Sequence, residues 1–322
     1  MSARSDLVVL IGDDDDPHVV AVGAALERRG VAQVTIGVNA NFGLVAAMLA
    51  GDRVAPVLRL DGAMVPLDDV VGVLDRGRSS VPVLTDERWQ YVFRERKAFL
   101  EALPALARRA RWLNDPAAAV CASNKVAQLL AAQRAGFRVP PTYVTNDVEV
   151  IRELLADTGG DIVFKALTWL ATVDGRVLFT NRLEPSVPEE FAAALRPAPV
   201  IFQERVRKRD ELRVTCIGER SFGVRIVSQE RPDTALDWRR NQEDVGYEAA
   251  LLPQALEDRL HAVMADLGIS FGAFDLARDD DGEVVFFEVN PTGNWLWLEE
   301  RLDLPISEAV ADWLARAVDD RL

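Results

Sequence analysis

The chain has 322 residues, 49% of them hydrophobic, and a formal net charge of −14 at pH 7. This length suits about two or three domains with sizeable cores. The negative charge argues against nonspecific binding to nucleic acid or to an anionic membrane, so neither is expected as a partner. Cys121 and Cys216 show no metal-binding spacing, and no apolar run reaches the roughly 18 residues of a membrane span. Acidic residues interrupt the N-terminus where a signal peptide would be apolar, so we expect a cytoplasmic protein.

The first third of the chain has the pattern of an α/β unit, in which apolar runs alternate with a helical period. The turn signal at residues 114–116 marks a domain boundary, which gives a first domain over residues 1–115. The predicted elements are, in chain order, a doubly buried strand at 6–12, a helix at 17–30, a strand at 34–38, a hairpin of 54–60 with 65–74, and an amphipathic stretch at 85–112 that is broken near Pro104.

The remainder divides into a middle part and a strand-rich last third. Pro197 and Pro199 mark the second boundary, which gives domains over residues 116–199 and 200–322. The predicted elements are, in chain order, helix 123–135, strand 142–144, helix 147–156, strands 161–167, 176–180, 200–206, 211–217 and 222–228, helix 253–267, strands 271–277 and 284–290, and a final helix from about residue 305.

Three oxygen-bearing side chains lie on the last predicted hairpin. Residues two apart in a strand face the same side, so Glu288 and Asn290 project together, and strand pairing could bring Asp275 opposite them. Unpaired carboxylates at the edge of an apolar core are costly. Hard oxygen ligands of this kind suit Mg²⁺, which keeps water or phosphate oxygens in its remaining positions. Taken alone, the pattern is explained equally well by a surface hairpin with scattered acids.

Two lysines stand in apolar surroundings. Lys165 lies inside a predicted strand, where a lysine is uncommon unless it meets an anion such as a phosphate. Lys125 opens a predicted helix, and by itself it is explained better as an exposed helix residue. Cationic residues also crowd 205–213, whereas a second cationic cluster at 88–97 is interpreted as a solvated surface.

A further candidate is the exit of the strand that ends at residue 206, where backbone groups could read the edge of an adenine. Glu211 begins the next strand, and its carboxylate could hold ribose hydroxyls. An ordinary charged connection would have the same composition. The sequence has no P-loop, GxGxxG or GxSxG motif, which removes the common nucleotide, dinucleotide and hydrolase patterns. The exit is formed by Gln203, Glu204, Arg205 and Val206.

In their order along the chain, these parts resemble the ATP-grasp superfamily: a lysine, a second lysine on a strand, a QE-x-V hinge, an acid-x-Arg, an Asp on one strand and a Glu-x-Asn on the next. The resemblance covers the chain from about residue 111 onward. Further motifs are similar to those of one subgroup, the graspetide (omega-ester-containing peptide) maturases, which are relatives of the microviridin ligases. These motifs are WLNDP at 112–116, SNK and QL within 123–129, GFRVP at 136–140, ELRVT at 211–215, DWR at 237–239 and NPTGNWLW at 290–297.

The resemblance implies an ATP-grasp fold of α/β and α+β class, with an N-terminal pre-ATP-grasp α/β domain, a central small domain and a C-terminal domain. It also implies ATP and Mg²⁺ as cofactors, with ATP between the last two domains. The implied roles are phosphate neutralisation by Lys125 and Lys165, adenine recognition by the backbone of Arg205 and Val206 beside Gln203 and Glu204, ribose binding by Glu211, Mg²⁺ binding by Asp275, Glu288 and Asn290, contact with the transferring phosphoryl group by Arg213, and binding of the substrate carboxylate by Arg239.

Members of this subgroup crosslink acidic side chains of a ribosomal precursor peptide to its Ser, Thr or Lys side chains. The resemblance therefore implies a ligase that activates Asp or Glu side chains as acyl phosphates and forms ester or amide macrocycles. Its partner would be a precursor with a leader and an acidic core. The resemblance leaves open whether the enzyme forms a homodimer. Two alternatives remain: an ATP-grasp ligase that adds amino acids, as glutamate ligases do, and a nucleotide-binding regulatory protein without turnover.

Overall fold

The computed structural model describes residues 6–13, 15–37, 42–44, 56–60, 62–76, 87–168, 179–184 and 187–319. Within these residues the chain has a mixed α/β architecture with four separate sheets. None of the helices in the described ranges combines the length and the apolar character that crossing a bilayer requires. Some positions of the predicted elements lie outside the described residues, namely 38, 54, 55, 61, 85, 86, 176–178 and 320–322.

The N-terminal part is an α/β unit, as predicted. Its elements are β1 (Leu7–Ile11), α1 (Pro17–Arg28), β2 (Ala32–Ile36), β3 (Phe42–Leu44), β4 (Val57–Leu60), β5 (Ala63–Pro66), β6 (Val70–Asp75), α2 (Glu87–Leu106) and β7 (Arg111–Leu113). A parallel sheet has the order β2-β1-β6-β7, and an antiparallel sheet has the order β3-β4-β5. Val8 and Leu10 enter one core and Val9 and Ile11 another, so β1 is buried on both faces.

The strand predicted over residues 65–74 is in fact two strands. A short 3₁₀ turn, Leu67–Asp69, separates β5 from β6. Strand β5 pairs antiparallel with β4, whereas β6 pairs parallel with β1. The backbone N–H of Leu67 donates to the carbonyl of Pro56 at 2.9 Å and so ties this turn to the start of the hairpin. Every residue of β6 is buried, as a strand covered on both faces requires.

The middle part contains an antiparallel sheet covered by helices. Its elements are α3 (Pro116–Ala122), α4 (Lys125–Arg134), β8 (Thr142–Thr145), α5 (Val148–Asp157), β9 (Ile162–Lys165), β10 (Asn181–Arg182), α6 (Glu189–Leu195) and β11 (Val200–Glu204). The sheet has the order β10-β9-β11-β8, and α5 and α6 supply its core. It therefore includes a strand beyond residue 199, while α3 and α4 pack against later elements. The limits of the three domains remain a prediction.

The last part is a five-stranded antiparallel sheet. Its elements are β12 (Lys208–Ile217), β13 (Arg220–Val227), β14 (Gly246–Ala250), α7 (Gln254–Leu267), β15 (Phe271–Asp279), β16 (Val284–Asn290), α8 (Leu296–Leu302) and α9 (Ile306–Asp319). The strand order is β14-β13-β12-β15-β16, and α4 and α7 share one core with this sheet. Helix α9 returns to the N-terminal part, where it packs against α1, β1 and β6. The last helix of the chain therefore completes the core that the N-terminal elements begin.

Candidate active site

Three charged side chains form a row across the last sheet. Arg213 of β12 pairs with Asp275 of β15, and Asp275 pairs with Glu288 of β16. Residues directly opposite each other in an antiparallel sheet project from the same face. Nη1 of Arg213 lies 3.0 Å from Oδ2 of Asp275. Strand register therefore brings together three of the residues that the sequence assigned to the phosphoryl and metal positions.

Glu288 stands at the centre of a cationic group. Its Oε2 pairs with Nζ of Lys125, and its Oε1 accepts from Nη1 of Arg239 at 3.2 Å. Burial alone would raise the pKa of Glu288, but the charges of Lys125, Arg239 and Lys165 outweigh it and hold this pKa well below the ordinary value. Glu288 is therefore a carboxylate, the form that a metal ion or a cation binds.

Two hydrogen bonds between helix α4 and strand β16 place Lys125 beside Glu288. The side chain of Asn124 caps this helix by accepting from the N–H groups of Val126 and Ala127 at 3.0 and 3.1 Å. One turn later, Nε2 of Gln128 donates to the carbonyl of Val289 at 2.7 Å, and its Oε1 accepts from the N–H of the same residue at 3.2 Å. Because Lys125 and Gln128 lie three residues apart, they share one helix face.

One oxygen of this group has no internal partner. Oδ1 of Asp275 is buried and accepts no hydrogen bond from the residues that the structure describes. A buried carboxylate oxygen without a partner is costly, so its position fits an external ligand such as a cation. Within the described ranges, no three His, Cys, Asp or Glu side chains cluster tightly enough to hold a metal. Carboxylate oxygens such as those of Asp275 and Glu288 suit Mg²⁺, which completes its shell with water or phosphate oxygens.

Asn290, the third predicted metal ligand, ends the same strand. It pairs with Ala273, two residues along from Glu288. Its Oδ1 accepts from the N–H of Thr292 at 2.9 Å and from the Thr292 hydroxyl at 3.2 Å. The amide oxygen is thus oriented by the turn that follows the strand.

A cavity of about 300 Å³ lies between the middle sheet and the last sheet. This volume is at the lower end of the range for small-molecule sites. It collects most of the residues that the sequence singled out, although Lys125, Arg213 and Asn290 are not part of its lining. The predicted residues that line it are Lys165, Gln203, Glu204, Arg205, Val206, Glu211, Arg239, Asp275 and Glu288.

Lys165 lines this cavity from the middle sheet, as does Arg182 of β10. Burial lowers its pKa to about 8, against the raising effect of Glu288, and the neighbouring charges of Lys125 and Arg239 lower it further. The structure thus holds an ammonium group at a position where its charge is poorly solvated. An incoming anion would relieve that penalty.

Phe287 is a cavity residue that sequence reasoning missed. Asp275 pairs with Glu288 but the next residue, Leu276, pairs with Phe286, so Phe287 is the extra residue of a β-bulge. The bulge lets Phe287 and Glu288, which are adjacent, both line the cavity. Regular alternation would have sent them to opposite faces. A bulge of this kind leaves no readable signal in the hydrophobic pattern.

Most of the residues predicted to bind adenine and ribose, 203–206 and Glu211, already form hydrogen bonds or ion pairs within the protein. The N–H of Arg205 donates to the carbonyl of Asp161 at 2.9 Å, and its guanidinium group contacts the Asp161 carboxylate at 2.6 and 2.8 Å. Nε2 of Gln203 donates to the hydroxyl of Thr142 at 2.8 Å. Glu211 lies 2.8 Å from Nζ of Lys208, and burial raises its pKa in spite of that cation. The Arg205 N–H is therefore already used.

Arg239 is bound by an aspartate that sequence reasoning did not assign. Nε and Nη2 of Arg239 donate to the two carboxylate oxygens of Asp237 at 2.8 and 2.9 Å, which is a bidentate pair. Oδ2 of Asp237 also accepts from the N–H of Thr180 at 3.2 Å. Nε and Nη2 of Arg239 are therefore both used in the contact with Asp237, and Nη1 is the part of its guanidinium group that faces Glu288. The short DWR motif was the available signal.

Comparison with known proteins gives three informative similarities. No family model matches the chain. A curated relative, the probable alpha-L-glutamate ligase 1 of Pseudoalteromonas atlantica, is 24% identical over 212 residues, which are 65% of this chain and 67% of that protein. The solved macrocyclase MdnB of Microcystis aeruginosa MRC is 31% identical, with a TM-score of 0.78 over 96% of this chain and 99% of that one.

A third structure has the same fold over nearly the whole chain. It is a RiPP-associated ATP-grasp ligase of Chryseobacterium gregarium, solved with ADP and a leader and core peptide, with a TM-score of 0.86, 24% identity and 97% coverage of both chains. The architecture around the cavity is thus that of an ATP-grasp ligase, which confirms the predicted fold class. Given the 31% identity over nearly the full length of the macrocyclase, the chain belongs to the RiPP-associated ATP-grasp ligases, the graspetide maturases.

Proposed function

We propose that this ligase activates Asp or Glu side chains of a ribosomal precursor peptide and joins them to Ser, Thr or Lys side chains of the same peptide. The observation that carries the proposal is the convergence of Lys125, Lys165 and Arg239 on one carboxylate, Glu288, at the edge of a cavity of about 300 Å³. Such a site can hold a polyphosphate beside a cation. The similarity to a ligase that was solved with a leader and core peptide supports a peptide as the substrate.

ATP would lie in the cavity between the two sheets. The ammonium groups of Lys125 and Lys165 would bind its phosphates, and Glu211 would bind its ribose. Because the Arg205 N–H is used internally, adenine recognition would depend on the Arg205 carbonyl and the backbone of Val206. Mg²⁺ fits the unpartnered Oδ1 of Asp275 together with Glu288 and Asn290, where it would neutralise phosphate charge. These last three residues would hold it.

The reaction needs two displacements. A substrate carboxylate oxygen attacks the γ-phosphorus of ATP, the bond to the β-phosphate oxygen breaks, and an acyl phosphate and ADP result. A hydroxyl or amine of the peptide then attacks the acyl carbon, an ester or amide bond forms, and phosphate leaves while the nucleophile loses its proton. Arg213 lies beside Asp275, where its guanidinium group would stabilise the charge that develops during phosphoryl transfer.

Arg239 is proposed to contact the substrate carboxylate through Nη1, since its fork is held by Asp237. We expect Arg239→Ala to impair peptide modification more than ATP binding, with a loss of about 1.5–3 kcal/mol in transition-state stabilisation. Steady-state kinetics with peptide and calorimetric titration with nucleotide measure the two effects. Arg240→Ala, next to it in the chain, is the control, because Arg240 contacts Thr180 and Asn181 instead. Equal loss of both properties in Arg239→Ala would contradict this role.

The test of the whole proposal uses purified enzyme, ATP, Mg²⁺ and the acidic precursor peptide encoded nearest to the gene. Each linkage should remove one water from the peptide mass and release one ADP and one phosphate. Mass spectrometry after hydroxylamine treatment separates esters, which are cleaved, from amides, which are retained.

The glutamate-ligase relative supports one alternative, an enzyme that adds free amino acids. In that case the peptide mass would rise by one residue per ADP released, and activity would require a free amino acid. A protein that binds ATP without releasing ADP, with or without peptide, would overturn both assignments.

A further inference from the structure

Residues 290–295 form the turn that leads out of β16, which we name the Asn290 turn. An arginine from the N-terminal part of the chain contacts this turn. Arg76 directly follows β6, and its side chain is only 8% exposed. Its guanidinium group contacts four consecutive residues of the turn: the carbonyls of Thr292 at 3.0 Å and Gly293 at 3.4 Å, Oδ1 of Asn294 at 2.7 Å, and the ring of Trp295, whose centroid lies 5.0 Å from Cζ.

Arg76 is itself fixed by a second contact in its own part of the chain. Its Nε donates to Oδ2 of Asp16 at 3.3 Å. The other oxygen of Asp16 lies 2.9 Å from Nδ1 of His18. Nε2 of His18 accepts from the N–H of Trp295 at 3.2 Å, so Nδ1 carries the proton and donates to Asp16. The three side chains therefore form one network against the turn.

The position of the turn decides the position of Asn290. Asn290 pairs with Ala273 and is oriented by Thr292, one of the residues that Arg76 holds. Gly293 packs so closely on β15 that a Cβ added there would lie 2.4 Å from Cβ of Ala273. The turn thus has little room to move while Arg76 is in place.

We propose that Arg76 is a positioning residue that fixes the Asn290 turn, so that the N-terminal part of the chain preorganises the metal site. The inference rests on the proposed function, because it assumes that Asn290 and Asp275 bind the metal. It assigns to the N-terminal part of the chain a share in the arrangement of the metal site. Lysine cannot replace Arg76, since a single ammonium group cannot reach the acceptors that a planar guanidinium fork reaches together.

The test compares Arg76→Lys with Arg29→Lys. Arg29 forms ion pairs with Glu308 and Asp312, so the control removes another arginine fork from the same part of the chain. Mn²⁺, an ion that uses the same oxygen ligands, is titrated in the presence of ADP and followed by electron paramagnetic resonance. In Arg76→Lys we expect the Mn²⁺ affinity to fall about tenfold, as loss of outer-sphere support does in other metal sites. ADP affinity without metal and the Mn²⁺ affinity of Arg29→Lys should stay at wild-type values.

Unchanged Mn²⁺ affinity in Arg76→Lys, or an equal loss in both variants, would overturn the inference. If Arg76→Lys does not fold, Asn294→Ala decides, because it removes one of the Arg76 contacts at an exposed residue. It should weaken Mn²⁺ binding in the same direction, and no change would count against the role of Arg76. Failure of the proposed metal site itself has a different signature, which is wild-type Mn²⁺ affinity in Glu288→Gln.

Discussion

Glu288 shows how a single carboxylate can be kept charged inside a protein. Burial penalises the charge, but Lys125 and Arg239 contact its two oxygens and Lys165 lies nearby. Arg239 is also paired with Asp237, whereas Lys125 and Lys165 have Glu288 as a nearby carboxylate. The residue therefore organises the cationic side of the cavity even without a bound ligand. Removing its charge should disturb function far more than the fold.

We expect Glu288→Gln to give folded protein whose ligation rate falls by about two orders of magnitude or more, since one charge beside Mg²⁺ and phosphate is lost. The rate of ADP release with peptide, measured at ordinary Mg²⁺ concentration, is the test. Glu283→Gln is the matched control, because this glutamate lies on the same hairpin with a 57% exposed side chain. Near-normal turnover of Glu288→Gln would refute the metal assignment.

Lys165 should make nucleotide binding depend on pH. With a pKa of about 8 in the free enzyme, Lys165 is protonated at pH 7 and mostly neutral at pH 9, whereas a bound phosphate would keep it protonated. ATP affinity should therefore fall as the pH rises through about 8. Lys165→Met should bind ATP more weakly at pH 7, by about 1.5–3 kcal/mol, and should lack that fall.

Calorimetric titrations at pH 7 and 9 give both quantities, with Lys97→Met, an exposed lysine, as the control. The melting temperature of Lys165→Met without nucleotide should hold or rise. The reason is that the lowered pKa reflects a charge that costs the folded state stability below pH 8. Unchanged ATP affinity would make Lys165 a structural residue.

At the scale of residues, sequence reasoning finds those whose chemistry is unusual for their surroundings. Lys165 and Glu288 stand out because charges interrupt apolar strands, and the structure brings both to one cavity. Asp237 does not stand out, because an aspartate in a polar loop is ordinary until its bidentate contact with Arg239 is seen. Phe287 is hidden for the opposite reason, since an apolar residue in an apolar strand carries no signal.

Among the glycines whose surroundings the structure describes, Gly293 of the Asn290 turn has the closest neighbour. A Cβ on Gly293 would lie 2.4 Å from Cβ of Ala273 and 2.9 Å from Nη2 of Arg213. Backbone and side chains on both sides would have to shift. Glycine is thus required here by a close approach and not by its backbone angles.

We expect Gly293→Ala to destabilise the protein by about 1–3 kcal/mol through overpacking and to reduce turnover further by displacing Asn290. Thermal unfolding and the ligation rate measure the two effects. Gly23→Ala in α1 is the control, because a Cβ there has its nearest neighbours at 3.6 Å and should be tolerated. Wild-type turnover in Gly293→Ala would show that the turn position is unimportant.

The side-chain amide of Asn114 fixes the start of β15. Oδ1 of Asn114, just after β7, accepts from the N–H groups of Ser270 and Phe271 at 2.6 and 2.7 Å. Its Nδ2 donates to the carbonyls of Phe271 and Pro291, each at 2.9 Å. The buried amide is therefore fully satisfied and links the start of β15 to the turn after β16. The sequence showed this asparagine as part of a turn signal and of the WLNDP motif, but neither reveals its contacts with residues 270, 271 and 291.

Element boundaries were predictable where composition changes and not where tertiary contacts decide. The strands β12, β15 and β16 follow from alternation and turn residues, and their register then fixes the site. The division between β5 and β6 was missed because the apolar pattern continues through the 3₁₀ turn. Helix α8 was missed because its seven residues are too few to show a helical period.

At the scale of the molecule, α9 connects the two ends of the chain. Val310 and Leu314 are fully buried in a core shared with β1 and α1. Arg29 pairs with Asp312 on one side of this helix, and Arg220 of β13 pairs with the same carboxylate. Helix α9 therefore belongs by packing to the first part of the chain while it contacts the last sheet.

We expect Leu314→Ala to destabilise the protein by about 2–5 kcal/mol, since it opens a cavity in this shared core. Hydrogen exchange should show that protection falls in β1 and β6 as well as in α9. Leu130→Ala, at a 49% exposed position, is the control. If protection in β1 stays unchanged while the melting temperature falls, α9 and the first sheet do not form one cooperative unit.

The packing of α9 has a consequence for the order in which the protein is made. Residues 6–76 leave the ribosome long before residues 306–319, which complete the core around β1 and α1. During translation the face of the first sheet that carries α1 therefore stays incompletely covered until residues 306–319 are synthesised. Such a surface is a binding site for chaperones and a risk for aggregation. Stalled chains that end before residue 306 should show it by proteolysis, and chains that include α9 should not.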